Sequence, residues 1–224
     1  MEPNFCFGKI PENLENDRVK LVPFIPVEHA DALFAAVRAH DALWAYLPFG
    51  PFASTDDLVA SLVHGRIRAD ALFAVLDKTA PGAPALAGTI GLLDTSPVNL
   101  STEIGFVITL PAFQRTHVTS SAAGLLLRFA LDELRLRRVV WKANSLNVAS
   151  VRTAERMGFR KEGVLRWDRV LAAGKTEGGN GGGERERDPK PGCLGRDTVL
   201  LSLCWDDWEA GAREAVDAIM QRSS

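Results

Sequence analysis

Apolar residues recur along the chain at two periods, and the switches between them mark out the elements. In "RVKLVPF" (18–24), Val19, Leu21 and Phe24 fit an edge strand closed by Pro23 and Pro26. Residues 27–40 carry Ala30, Leu33, Phe34 and Val37 at helical spacing, and 54–68 begins with Ser54, Thr55 and two aspartates, so two helices are expected. The segment between them, "DALWAYLPFGPF" (41–52), is aromatic and proline-rich, a loop that packs against something. Three apolar runs, 71–77, 85–94 and 101–110, are separated by turn-rich stretches and predict an antiparallel meander. In the third run, the two-residue period of a strand puts Ile104, Phe106 and Ile108 on one face. Ser101, Glu103, Gly105 and Val107 then share the other.

A helix follows within 111–134, with Ala123, Leu126, Leu127, Ala130, Leu131 and Leu134 as its buried stripe. "RRVVWKAN" (137–144) reads as a strand. Residues 147–159 read as a helix with Asn147 as N-cap and Gly158 as a left-handed stop before Phe159. Residues 160–170 and 197–205 form an expected terminal strand pair, joined by 171–196. That connection holds eight glycines and little apolar content, so a flexible excursion is expected. Residues 206–221 close the chain as a helix. The order predicts one α+β, or mixed α/β, domain over 17–208, with a polar leader (1–16), a helical tail (209–224) and no internal repeat.

Composition narrows the function. The chain has 224 residues, 46% hydrophobic and 24% charged, with a net charge of −2. That balance gives no general reason to bind nucleic acid or an anionic membrane, so an anion site has to be local. Cys6, Cys193 and Cys204 are odd in number and widely spaced, which argues against a disulfide framework or a zinc knuckle and for a reducing compartment. The first residues lack a basic start followed by an apolar run, and no stretch of about 18 apolar residues occurs, so a cytoplasmic or nuclear location is expected. His29, His40, His64 and His117 show no metal-ligand spacing, and no metal is expected. "AGKT" and "GNGGG" imitate nucleotide-binding loops, but Arg169 stands where a phosphate loop needs glycine, and neither stretch lies between a strand and a helix. No G-x-S-x-G elbow is present.

One local feature does point to chemistry. "QRTHVTSS" (114–121) opens an apolar helix with Gln114, Arg115, Thr116, His117, Thr119, Ser120 and Ser121 and no acidic residue. A helix N-terminus offers unpaired N–H groups and the positive end of the dipole, so this turn is a candidate anion seat.

Around it stand "EIGF" (103–106), "NSLNVAS" (144–150) and "GF" (158–159), in that order and at suitable intervals. As a set these motifs resemble the GNAT superfamily of N-acetyltransferases, and within it the ribosomal-protein N-acetyltransferase-like branch, over about residues 17 to 208. The resemblance implies a twisted, mostly antiparallel mixed sheet of about seven strands flanked by helices. It implies acetyl transfer from acetyl-CoA, as co-substrate, to a primary amine on a small molecule or a peptide N-terminus, by direct attack on the thioester, in a monomer or homodimer.

Roles follow by position. Gln114, Arg115, Thr116, His117, Val118 and Thr119 would cradle the pyrophosphate. Ile104, Phe106, Val107 and Ile108, on a strand splayed from its neighbour, would pair with the pantetheine amides and lend an N–H to the thioester carbonyl. Asn144 and Asn147 would meet the cofactor or substrate, although Asn147 is equally a plain N-cap. Glu103 would be the general base if burial raises its pKa; the alternative is a carboxylate on a solvated strand face. Ser150 would hydrogen-bond the leaving thiolate, or it is simply a small polar residue in a helix's first turn. The only tyrosine, Tyr46, lies in the aromatic loop, so the late-helix tyrosine acid of many relatives is missing. Trp44, Tyr46, Phe49 and Phe52 would wall the acceptor pocket or pack that loop. Trp141 and Trp167 are assigned to the core or sheet surface, and His117 either reaches a phosphate or sits exposed in the loop. The family prefers glycine and then glycine or alanine where this chain has His117 and Thr119, so the turn has to hold its path with negative φ. Two alternatives remain at this point: a coenzyme A-binding module that is catalytically weak or inactive, and an interaction scaffold tethered through "GERERDPKPG".

Overall fold

The computed structural model describes residues 5–64, 70–79, 81–82 and 84–222. Its strands are β1 (Leu14–Glu15), β2 (Val19–Pro23), β3 (Ala71–Asp77), β4 (Ala85–Ser96), β5 (Ser101–Thr109), β6 (Arg138–Asn144), β7 (Arg160–Val170) and β8 (Gly195–Cys204). They form one sheet in the order β1-β2-β3-β4-β5-β6-β8-β7. Every pairing is antiparallel except β5 with β6, which a helical crossover makes parallel. The expected meander is β3-β4-β5. The strand beyond the expected seven is β1, which covers the edge of β2. The expected terminal pair is β7 with β8, and β8 inserts between β6 and β7.

The helices are α1 (Pro26–Val37), α2 (Thr55–His64), α3 (Val118–Arg128), α4 (Val148–Arg156), the single turn α5 (Trp205–Asp207) and α6 (Arg213–Gln221). The end of the second expected helix, 65–69, lies outside the described residues. Gly158, at φ 91°, stops the chain after α4 as its position predicts. Buried residues fall into two clusters. In one, α1, α2 and the loop between them contribute Leu33, Trp44, Leu58 and Leu62 against Ala74, Leu93, Phe106 and Ile108. In the other, α3 and α6 pack Leu126, Leu127, Val216 and Met220 against Phe73, Ile104, Trp141 and Leu201.

Three expectations need correction. The leader is not merely polar: Phe5 and Ile10 are buried in the α3 core, and Phe5 stacks on Phe129. The tail is not separate either. Val216 is fully buried, and a Cβ on Gly124 of α3 would overlap Met220 of α6, so the two helices meet at close range. Finally, Ile104, Phe106 and Ile108 do not share a face. Opposite Ile90, between the pairs Gly91↔Gly105 and Thr89↔Ile108, β5 carries both Phe106 and Val107, a bulge with Phe106 at φ 50°. The Thr89 hydroxyl anchors it by donating to the Phe106 carbonyl at 2.9 Å. After the bulge, Phe106 and Ile108 pack with the α1/α2 cluster, whereas Ile104 and Val107 pack with the α3 cluster. A Cβ on Gly105 would meet Leu93 of the α1/α2 cluster, and Glu103 Oε1 lies 3.6 Å from the same point. Glu103 therefore lies on the side of the aromatic loop.

Candidate active site

Strands β5 and β6 pair only from Ser101↔Arg138 to Ile104↔Trp141. Beyond that they diverge, each continuing for several residues, and the fork opens a cavity of about 960 Å³. Its walls include Ile104 to Thr109, the turn 114–117 with Thr119, Trp141 to Asn144, Asn147, Ser150, Tyr46 and Arg196. Backbone groups of β5 past Ile104 are thus freed from β6, the arrangement an extended ligand with amide groups can use.

One end of the cavity is the start of α3. His117 has φ −67° and Thr119 lies within the helix, so neither position needs glycine; the positive φ of the turn falls on Arg115, at 62°. The turn is held by its own side chains. Gln114 donates to the Thr109 carbonyl at 3.2 Å, Thr116 donates to the Phe113 carbonyl at 2.6 Å, and the Thr109 and Thr119 hydroxyls lie 2.7 Å apart. The His117 imidazole points at Asp77, with Nε2 3.4 Å from the carboxylate and the side chain 7% exposed, so it does not project into solvent as a loop histidine. The Val118 side chain is buried in the core and so does not reach the turn. The Val118 N–H already donates to Thr116 Oγ1 at 3.3 Å, and the following N–H groups of the first turn of α3, with the cation Arg156, which donates to Ser120 at 3.4 Å, leave this end suited to an anion.

At the fork, Glu103 Oε2 lies 2.6 Å from Lys142 Nζ, and Asp94 reaches the same ammonium at 3.7 Å. The Glu103 side chain is 12% exposed and that of Asp94 76%, so Glu103 is the enclosed carboxylate. Burial pushes its carboxyl above the ordinary value, Lys142 pulls it back, and Asp94 adds to the rise. The solvated-face alternative for Glu103 does not match this burial.

Ser150 sits in the first turn of α4, where Asn147 caps the helix by accepting from the Ser150 N–H at 3.0 Å. The Trp141 indole N–H donates to Ser150 Oγ at 3.0 Å, which leaves the hydroxyl hydrogen to donate elsewhere. Trp141 is a core residue, as expected, and also orients this hydroxyl; only the small polar residue that follows it on a facing helix hinted at that.

Asn144 is 2% exposed, and its amide is already engaged: Nδ2 donates to the Gly178 carbonyl at 2.7 Å and Oδ1 accepts from the Leu146 N–H at 2.9 Å. It ties the glycine-rich excursion to the end of β6 while also lining the cavity. Gly178, at φ 80°, lies so close to the Ala45 carbonyl that a Cβ would overlap it, and Lys175 donates to the Trp44 carbonyl. The excursion therefore closes over the aromatic loop. Of the four aromatic residues expected as a pocket wall, Tyr46 lines the cavity. Trp44 is 1% exposed and packs edge-on to Phe52, while Phe49 stacks on Phe106, so these three support the loop from beneath.

Sequence reasoning missed Lys142, Arg156 and Arg196. Lys142 left one signal, a lone cation inside an apolar strand. Among the described residues, Cys204, Asp206 and Asp207 are grouped closely enough for a metal, but Cys204 faces Arg138 at the far end of β6 from Asn144, and Asp207 pairs with Arg160 at 2.6 Å. No helix among the described residues is long and apolar enough to cross a membrane.

Comparison with known proteins agrees with this geometry. A family described as an acetyltransferase (GNAT) domain matches residues 18–160. A structure described as a probable acetyltransferase of the GNAT family, from Chromobacterium violaceum, is 30% identical. The match covers 90% of this chain and 91% of that one, with a TM-score of 0.71. A GCN5-related N-acetyltransferase from Brucella melitensis is 27% identical over 93% of this chain and 85% of that one, with a TM-score of 0.74. A spermidine N-acetyltransferase from Vibrio cholerae, in complex with CoA and spermine, shares the fold at 16% identity, covering 87% of this chain and 99% of that one, with a TM-score of 0.62. No curated protein matches the chain.

Proposed function

The chain belongs to the GNAT acetyltransferase family and is an acyltransferase, and we propose that it moves an acetyl group from acetyl-CoA to a primary amine, on a small molecule or at a peptide N-terminus. The observation that carries this reading is the parting of β5 from β6 after Ile104 and Trp141, with Glu103 at the fork and a helix N-terminus at the far end. Acetyl-CoA supplies the activated acyl group. The α3 turn binds its phosphates, with Arg156 alongside, and the freed backbone of Gly105 to Ile108 meets its amides. Glu103 takes a proton from the acceptor ammonium, directly or through one water, and frees the amine lone pair that attacks the thioester carbon. An N–H of the bulge region faces the charge that develops on the acyl oxygen. The Ser150 hydroxyl, held by Trp141, donates to the departing sulfur.

A coenzyme A-binding module without turnover is suggested by His117 and Thr119 in place of glycine and by the missing late-helix tyrosine. The negative φ at His117 and the helical position of Thr119 remove the first motive, and against the second stands the Ser150 hydroxyl, held by Trp141, as the donor in place of the tyrosine. The finer placement, in the ribosomal-protein N-acetyltransferase-like branch, rests on the motif set and is part of the proposal.

Thermal melting with acetyl-CoA, followed by free-thiol release with a panel of amines, tests the reading. At 100 times its dissociation constant the ligand adds about 2.7 kcal/mol of stability. Stabilisation together with amine-dependent thiol release is expected; no stabilisation and no release would refute it.

A further inference from the structure

Arg196 enters β8 where the glycine-rich excursion rejoins the sheet, pairing across from Arg169 of β7. Its guanidinium lies beneath the aromatic loop and lines the same cavity as Lys142, the partner of Glu103, yet the residue is only 6% exposed. A guanidinium carries five N–H donors in a planar fork. Here Nη1 donates to the Tyr46 carbonyl at 3.3 Å, and Nε is buried with no hydrogen-bond partner. Asp168 and Glu103 act on it as charges, but neither hydrogen-bonds to it among the described residues. Lys142, the other cation at this part of the cavity, is already paired with Glu103. A buried arginine with an empty donor is costly unless an anion reaches it. The surroundings also favour a compact guest, since Asn144, Gly178 and Lys175 draw the excursion over the aromatic loop.

We infer that Arg196 receives a carboxylate carried by the acceptor, so that the acceptor class is a small amine bearing a carboxylate, of the amino-acid type. The inference rests on the acyl-transfer reading. Arg196 and Lys142 line one cavity, and Glu103, paired with Lys142, is near enough to act on Arg196 as a charge, so such an acceptor presents its amine to Glu103 and its carboxylate to Arg196. Planar, paired donors suit a carboxylate better than the point charge of lysine does.

The test compares free amino acids with the corresponding amino-acid amides, which differ only in carboxylate against carboxamide. The intact enzyme is expected to favour the acid of the preferred pair in kcat/KM by about 10- to 100-fold. Arg196→Met is expected to abolish that preference while turnover of the amide persists, and Arg196→Lys to retain part of it. Should the Met variant fail to fold, a reduced preference in a thermally stable Arg196→Lys enzyme serves as the supporting result. Equal acetylation of acids and amides by the intact enzyme, or a proportional loss of both in the variants, overturns the assignment and leaves acyl transfer standing. Absence of acetylation with every amine overturns both.

Discussion

Glu103 and Lys142 hold each other at 2.6 Å at the fork where β5 and β6 part. Burial raises the carboxyl above its ordinary value, and the ammonium limits the rise. A base must be unprotonated to accept a proton, so activity falls as pH drops through the Glu103 pKa. The acid limb of kcat/KM against pH is expected above the ordinary carboxylate value. Lys142→Met removes the opposing cation and is expected to move that limb upward. A limb that stays in place or moves down would argue against Glu103 as the base.

Ser150→Ala removes the hydroxyl that Trp141 orients. It is expected to lower kcat by about 10- to 100-fold while the KM for acetyl-CoA stays within a few-fold, because the donor matters most as charge develops on sulfur. Trp141→Phe keeps the ring and loses the N–H, and a smaller fall in kcat is expected. Steady-state kinetics on both variants read the effect; unchanged kcat in Ser150→Ala would remove this residue from the chemistry.

Gly178→Ala places a Cβ against the Ala45 carbonyl at a residue with φ 80°. The strain is of order 1–3 kcal/mol, or it is relieved by moving the excursion off the loop. The KM for the acceptor is expected to rise, with the KM for acetyl-CoA unchanged. An unaltered acceptor KM with unaltered melting would show that the excursion does not shape the pocket.

Glu162 is held at about 2 by hydrogen bonds from Arg138, first, and from Ser202. A depressed folded value means that the stabilisation is fully present above the unfolded value of about 4.5 and is lost as pH falls toward about 2. Glu162→Gln is therefore expected to lower stability at neutral pH and to lose less than the intact protein across that acid window. The pair is about one-third exposed, so the neutral-pH difference is expected near 0.2–1 kcal/mol. Urea titrations at pH 7 and pH 3 check it; a difference that grows on acidification would contradict the sign.

The order of elements was readable because each has its own period and punctuation, such as Asn147 before α4 and Gly158 after it. The bulge was not readable, because a two-residue period carries no mark of the extra residue that turns Phe106 and Ile108 away from the face of Ile104. Glu103, the α3 turn and Ser150 could be singled out because motif order brings them near one another. Lys142, Arg196 and the engagement of Asn144 with Gly178 depend on register and on a long excursion folding back, and these contacts join residues far apart in the chain.

The central claim is that the fork between β5 and β6 is where acetyl-CoA gives its acyl group to an amine, with Glu103 taking the proton. The most direct measurement is amine-dependent thiol release by the intact enzyme and by Glu103→Gln, with acetyl-CoA stabilisation recorded for both. Expected are amine-dependent release by the intact enzyme, a loss of about 10²-fold or more in the variant, and similar stabilisation of the two proteins by acetyl-CoA. Equal release by both, with equal stabilisation, would contradict Glu103 as the base; no release by either would contradict the claim as a whole.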